Sequence, residues 1–281
     1  MDKKDFEYII KNALAEDIGS GDITTSAIVP ANLIATGEFL AKQNGIVAGL
    51  DVVEILLGIV DSSLSFERKV SEGEKVNAGK IIAAVKGSAA SMLTAERTAL
   101  NFLQRMSGIA TMTNLYIERI KHTKAKILDT RKTAPGLREL DKLAVKTGGG
   151  TNHRIGLYDM FLIKDNHIAA AGSITKAVES CKEFRKKNNS GYKIEVETEN
   201  LEQVKEALCC GVDFIMLDNF ELTEMKKAVD LISGKCLIEA SGGIDLNTIK
   251  EIAETGVDFI SVGALTHSVR ALDISLEIKI V

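Results

Sequence analysis

From Lys121 onward the chain alternates short apolar runs with helical stretches, and this rhythm constrains the fold more than any other feature. The strand candidates are Lys126–Asp129, Met160–Ile163, Lys193–Val196, Phe214–Leu217, Leu237–Glu239 and Phe259–Val262. Between the later ones lie LEQVKEALCCG, LTEMKKAVDLI and LNTIKEIAETG, each ending in or near glycine before the next run begins. Such alternation implies a parallel sheet with helical crossovers, because parallel neighbours need a long connection. The steady repeat favours a closed barrel. An open doubly wound sheet would carry its phosphate glycines after the first strand; here they come late, in Ser241-Gly242-Gly243 and Gly263.

The preceding part reads differently. From Thr36 to Ser88 the pattern is short strands and turns, with Glu72-Gly73-Glu74 and Asn77-Ala78-Gly79 supplying turn chemistry. This piece is similar to the β hammerhead of biotinyl and lipoyl carriers. Lys75 and Lys80 lack the flanking residues of a modified hairpin lysine, so a structural role is expected. Ser91 to Lys121 has helical spacing through Leu93, Leu100, Leu103 and Met106, and Gly108 is expected to break it into two helices. The closing LDISLEIKIV alternates apolar and polar residues, a strand expected to return to the N-terminal sheet.

In a βα barrel the chemistry sits where strands end. Arg131 and Lys132 follow the first run, and Lys164 with Asp165-Asn166-His167 follows the second. Glu195 and Glu197 are two residues apart in the third, so they share one face. Asp218 and Asn219 follow the fourth, Ser241-Gly242-Gly243 the fifth and Gly263 the sixth. The stretch from Asp129 to His167 also holds Arg138, Lys142, Lys146, Gly148-Gly149-Gly150, His153 and Arg154. A cationic block in a chain of net charge -4 points to a pocket for a small anion rather than to nucleic acid. The glycine turns, each expected to open a helix, suit a phosphate, and Glu197 and Asp218 suit sugar hydroxyls or the water shell of a magnesium ion. Plainer readings stand beside these: an ordinary barrel loop at Ser241-Gly242-Gly243, interior acids satisfied by lysines at Glu195 and Glu197, and surface or cap roles for His122 and His267.

Composition adds limits. With 281 residues, 45% hydrophobic and 26% charged, the chain is long enough for a substantial core. No apolar run approaches the roughly 20 residues that span a bilayer. The opening MDKKDFEYIIKNALAED reads as an amphipathic helix with acids rather than a signal peptide, which makes the cytoplasm the expected compartment. Cys181, Cys209, Cys210 and Cys236 form no CxxC pair and no zinc spacing. Cys209-Cys210 reads as small residues at a helix end before Gly211, with a redox pair as the alternative.

The residues now assembled resemble one family, quinolinate phosphoribosyltransferase of the type II phosphoribosyltransferases, also called nicotinate-nucleotide pyrophosphorylase (carboxylating). The matching segments are EDIGSGDITT (from Glu16), LTAERTALNFLQRMSGIAT (from Leu93), DTRKTAPGLR (from Asp129), GGGTNHRIGLYDMFLIKDNHI (from Gly148), EVETENLEQ (from Glu195), IMLDNF (from Ile215), EASGGI (from Glu239) and SVGALTHS (from Ser261). The resemblance implies an N-terminal α/β sandwich domain, hammerhead-like, over residues 1–108 and joined by 270–281, plus a C-terminal incomplete α/β barrel over 109–269. It implies transfer of phosphoribose from phosphoribosyl pyrophosphate (PRPP) to quinolinate, with release of pyrophosphate and carbon dioxide. Arg131, His153, Arg154 and Lys164 would line the quinolinate site, and Arg97 would reach in from a neighbouring subunit of a homodimer or homohexamer. Lys132 would face pyrophosphate, which carries Mg2+. Glu197, selected over Glu195 by the motif, would sit with Asp218 at the ribose and magnesium side. Ser241, Gly242, Gly243 and Gly263 would hold the 5′-phosphate.

On this reading Arg138, Lys142 and Lys146 are surface or interface charges, and the triple glycine admits the loop bearing His153 and Arg154. A molybdenum-associated paralogue and a nicotinate-specific transferase are the rivals within the fold. The intact DTRK, HR and KDNH motifs and the number of cations favour the quinolinate enzyme. A non-catalytic phosphosugar-binding barrel and a carrier-domain protein are rivals from other classes.

Overall fold

The computed structural model describes residues 6–281. Met1–Asp5, the start of the stretch read as an amphipathic helix, lie outside the described residues. In chain order the elements are α1 (Glu7–Ile18), α2 (Ile23–Ile28), β1 (Ile34–Ala41), β2 (Gly45–Ile46), α3 (Leu50–Val60), β3 (Ser65–Arg68), β4 (Lys75–Val76), β5 (Ile81–Ser88) and α4 (Ala89–Ile120). Then come β6 (Lys126–Leu128), α5 (Arg138–Thr147), β7 (Phe161–Ile163), α6 (Asp165–Ala171), α7 (Ile174–Lys187), β8 (Ile194–Thr198), α8 (Leu201–Cys209) and β9 (Phe214–Asp218). The chain closes with α9 (Leu222–Ile232), β10 (Leu237–Ser241), α10 (Ile249–Ala253), β11 (Phe259–Ser261), α11 (Ala264–His267) and β12 (Ile274–Ile280). They form two units, one of residues up to Asn114 with Thr133–Gly149 and Thr266–Val281, the other of Leu115–Lys132 with Gly150–Leu265.

The first unit is built on an antiparallel sheet in the order β12-β1-β5-β3, with β2 and β4 forming a separate two-stranded antiparallel sheet. Strand β1 alternates strictly: Ala35, Phe39 and Ala41 are buried, while Thr36, Glu38 and Leu40 between them are half-buried and Ile34 is exposed. The C-terminal β12 pairs along it from Ala35↔Ile280 to Ala41↔Ile274, as its alternation predicts. The N-terminus of α3 is capped from a distance, since the Glu72 carboxylate accepts from the amides of Gly49 at 3.0 Å and Asp51 at 3.1 Å. These are first-turn donors that no helical carbonyl reaches.

Two expectations fail in this unit. Gly108 does not break α4, which runs 32 residues without interruption. A side chain there would bring a Cβ to 2.2 Å from the carbonyl oxygen of Arg270, so the glycine serves close packing against the chain before β12. Lys142 is not a surface charge: it is fully buried, next to Asp141, which is also buried and holds Arg105 through two bonds of 2.8 Å. Lys146 is exposed, and Arg138 donates to Thr133 Oγ1 at 3.1 Å. Gly148 is the C-cap of α5, where a Cβ would lie 2.4 Å from the Ala110 carbonyl oxygen. At that residue the glycine run ends a helix and permits close packing. Helix α5 clusters with the first unit although its sequence falls between barrel strands.

The second unit is a six-stranded parallel sheet in the order β6-β11-β10-β9-β8-β7. All six strands fall within a residue or two of the apolar runs that predicted them. The repeat suggested closure, but β6 and β7 are the two ends of the sheet, so the barrel is incomplete. Thr151 makes a single parallel bridge to Leu128 on the edge of β6 away from β11, through Thr151 N to Ile127 O at 2.8 Å and Asp129 N to Thr151 O at 3.2 Å. The segment after the glycine run is thereby fixed beside β6, and His153 follows two residues later.

Candidate active site

A parallel sheet places all its strand C-termini on one edge, so topology alone gathers residues distant in sequence. In the second unit β6 leads into Asp129, Arg131 and Lys132, and β7 into Lys164. Glu197 lies one residue from the end of β8, while Asp218 and Ser241 are the last residues of β9 and β10. Gly263 follows β11. Arg97 lies elsewhere, exposed on α4 in the first unit.

The cations of this edge differ in how far their charge is met. Arg131 is half-buried, and its Nε is shielded from solvent with no hydrogen-bond partner among the described residues. Arg154 donates from Nη1 to the Met160 carbonyl at 3.3 Å. Burial lowers the pKa of Arg154, and the Arg131 charge lowers it further. Glu195 and Asp159 offset part of this at Arg154, but the Arg131 Nε donor is left unmet, a place that an anion would satisfy. Lys164, by contrast, is ion-paired with Glu197, which was the plainer reading of that lysine. Its backbone amide donates to His167 Nδ1 at 3.0 Å, closing the first turn of α6. Lys132 is exposed.

His153 is set deeper. Its backbone amide donates to Asp129 Oδ1 at 2.9 Å, and Asn152 Nδ2 donates to the other oxygen of the same carboxylate. Its ring Nε2 lies 2.9 Å from Glu195 Oε2 and 3.3 Å from Glu239 Oε2. Burial alone would lower the imidazole pKa; its contacts with Glu195 and Glu239 outweigh this and raise it to about 10. Burial and then the Glu239 charge push the Glu195 carboxyl upward. Glu195 is therefore an interior acid paired with a histidine rather than a lysine, and its Oε1 is buried without a hydrogen-bond partner among the described residues. Asp129 and Glu239 were not among the candidates. Their only sequence signal is a carboxylate embedded in, or directly after, an apolar run, and a single sequence does not say what such a group faces.

The glycine turns also differ from expectation. Asp218 accepts from Asn219 Nδ2 at 2.8 Å, and the Asn219 amide donates to the Ser241 carbonyl at 2.9 Å. Gly242 has φ +100°, and a Cβ there would lie 2.1 Å from Asn219 Oδ1, so the turns after β9 and β10 press together. Ser241-Gly242-Gly243 does not open a helix. The next residues form a turn in which Asp245 Oδ1 accepts from the amides of Asn247 at 2.7 Å and Thr248 at 3.0 Å, bonds that hold its pKa down, and α10 begins only at Ile249. Any anion here would meet loop amides rather than a helix terminus. Gly263 does lead directly into α11, a single turn.

Comparison with known proteins bears on this arrangement. Residues 109–277 match the model of the quinolinate phosphoribosyl transferase C-terminal domain, and residues 22–107 that of its N-terminal domain. The chain is 49% identical to the chloroplastic nicotinate-nucleotide pyrophosphorylase [carboxylating] of Arabidopsis thaliana, over 98% of this chain and 83% of the relative. It is 41% identical to the probable nicotinate-nucleotide pyrophosphorylase [carboxylating] of Bacillus subtilis, over 100% and 96%. Among solved structures, NadC of Streptococcus pyogenes superposes with a TM-score of 0.95 at 40% identity, covering 100% of this chain and 99% of that one. The nicotinate-nucleotide pyrophosphorylase of Francisella tularensis gives 0.94 at 42%, covering 99% and 98%.

Proposed function

Because this chain belongs to the quinolinate phosphoribosyl transferase family, we propose that it transfers phosphoribose from PRPP to quinolinate, releasing pyrophosphate and carbon dioxide and forming nicotinate mononucleotide for NAD synthesis. The observation that carries this reading is the crowded pair Arg131 and Arg154, with the unpartnered Arg131 Nε between strand end and loop. Quinolinate bears two carboxylates on adjacent ring carbons, and planar guanidinium groups bind carboxylates bidentately.

In this reading Arg131, Arg154, His153 and Lys164 fix the pyridine ring so that its nitrogen faces the ribose C1 carbon. Binding redirects Lys164 from Glu197 toward a substrate carboxylate, which frees Glu197 to face the ribose. The bond from C1 to pyrophosphate breaks through an oxocarbenium-like state, the kind that governs glycoside cleavage. Glu197 and Asp218 offset the positive charge that grows on the ribose, and Lys132 meets the departing pyrophosphate. Loop amides at Ser241, Gly242, Gly243 and Gly263 hold the 5′-phosphate. Once alkylated, the ring nitrogen is cationic and stabilises the carbanion left at the neighbouring carbon as carbon dioxide departs; a proton then takes its place. No acid–base relay is required, so positioning and electrostatics dominate.

Mg2+ travels with pyrophosphate and supplies charge neutralisation of the leaving group. Carboxylate oxygens are the hard donors magnesium prefers, and Asp218, the last residue of β9, would address its water shell. A homodimer or homohexamer is proposed on two observations in the first unit. Arg97 is exposed there, and Ile23 and Ile28 are 81% and 73% exposed. All four cysteines are free thiols, which suits a reducing compartment such as the cytoplasm. No helix among the described residues is long and apolar enough to cross a membrane.

Incubation with quinolinate, PRPP and Mg2+ should yield nicotinate mononucleotide and carbon dioxide in equal amounts; turnover of nicotinate but not quinolinate would contradict the assignment. If Arg97 acts across subunits, mixing inactive Arg97→Ala and Lys164→Ala chains should restore part of the activity. No recovery in demonstrably mixed oligomers would place Arg97 outside the site.

A further inference from the structure

Glu195 and Glu239 take no part in the reaction as described, yet they are the most deeply buried acids on the inward face of the barrel sheet, 0% and 1% exposed. They stand on β8 and β10, which are separated by β9, so their side chains converge from alternate strands. Their partners in register are apolar: Leu162 and Phe214 beside Glu195, Met216 and Phe259 beside Glu239. Two ionised carboxylates in such a layer would repel and be poorly solvated. The nearest cation is the ring of His153, with Nε2 at 2.9 Å and 3.3 Å from one oxygen of each.

We propose that Glu195 and Glu239 are positioning residues that together orient the His153 ring and keep it as an imidazolium, giving the dicarboxylate pocket a third fixed cation beside Arg131 and Arg154. The inference rests on the quinolinate reading of that pocket. The imidazolium offsets one carboxylate, and burial beside Glu239 raises the Glu195 pKa, which favours a proton on that acid and keeps the buried cluster close to neutral. The other charged groups around it are Asp129 from the end of β6, which accepts the His153 amide, and the Arg131 and Arg154 guanidinium groups from the flanking loops. Burial opposes the charged ring, and the two glutamates must overcome it. The direction of the His153 shift, up to about 10, agrees. Its sign matters: a histidine with a raised folded pKa stabilises the fold below its ordinary value near ~6.5, and that contribution is lost only as pH rises through the folded value. Throughout the neutral range the ring stays charged.

The test begins with the native protein. Nitrogen-15 NMR of histidine-labelled enzyme from about pH 6 to about pH 9 should show one of the 4 histidines doubly protonated throughout, assigned by its loss in His153→Gln. In Glu239→Gln, and separately Glu195→Gln, that ring should titrate near neutrality. KM for quinolinate should then rise by about tenfold across the same range while kcat changes less, because only the charged ring makes a charge-assisted contact. His153 titrating near ~6.5 in the native protein would overturn the proposal. So would a pH-independent KM in the folded variants, or a stoichiometric transition-metal ion bound to the three side chains, whose ligand atoms lie within 4.8 Å of one another. The NMR measurement needs no turnover, so failure of the quinolinate reading in the activity assay remains distinguishable from failure of this one.

Discussion

At the N-terminal edge of the parallel sheet, Asp213 precedes β9 and Asp258 precedes β11, and both are fully engaged. Asp213 takes Lys193 Nζ at 2.6 Å on one oxygen and the Ile194 amide at 3.0 Å on the other; Asp258 takes Lys124 Nζ at 2.7 Å and the Ile238 amide at 2.9 Å. Each aspartate ties down an amide at the start of the adjacent strand, and a lysine covers it. At the C-terminal edge the same sheet does the reverse. Arg131 keeps a buried Nε donor unmet and its charge lowers the pKa of Arg154, although Lys164 is paired with Glu197 at the same edge. One edge is electrostatically closed and the other is left partly open. The closed edge contributes to stability, and on the reading proposed above the open edge keeps its unmet donor for a substrate anion.

Substitutions at the two edges should therefore separate activity from stability. The largest effect is expected from Arg131→Ala, which removes a charge-assisted carboxylate contact of about 1.5–3 kcal/mol, or roughly tenfold to a hundredfold in kcat/KM. Thermal stability should be unchanged or slightly raised, because a like-charge contact goes with it. A drop in Tm without a drop in activity would reverse the roles of the edges. Asp213→Asn should do the opposite, costing about 1 kcal/mol by denaturant titration with kcat/KM intact.

The acid limb of stability sharpens this second case. Burial would raise the Asp213 pKa, but Lys193 and the Ile194 amide hold it below the usual carboxylate range. Its contribution is thus present above the unfolded value near ~3.9 and lost as pH falls through the lower folded value. Asp213→Asn should flatten that limb, and an unchanged acid profile would show the aspartate to be idle. Lys124→Ala, at a pair whose lysine is 62% exposed, should cost less than about 0.5 kcal/mol and leave activity unaltered.

Much of this was legible in the sequence, for physical reasons. The six barrel strands were readable because each is a short apolar run closed by a polar or glycine residue, and most of the candidate residues followed because strand ends carry the chemistry in such a sheet. What sequence could not show was partnership. Glu195 and Glu239 look alike as acids inside apolar runs, and only the fold brings both to His153. Gly108 read as a helix breaker because glycine disfavours helices in isolation, whereas its close approach to Arg270 decides the matter. Lys142 looked like a surface charge because lysine usually is one. Ser241-Gly242-Gly243 looked like a helix start because the Asp245 turn that intervenes depends on side-chain bonds, not on composition.

The central claim is that the open edge is a seat for a dicarboxylate. Calorimetric titration of quinolinate and of nicotinate into the native protein and Arg131→Ala tests it most directly. The account predicts that the native protein binds quinolinate much more tightly than nicotinate, and that Arg131→Ala loses most of that difference. Equal affinity for the two acids, or a preference that survives in Arg131→Ala, would contradict it.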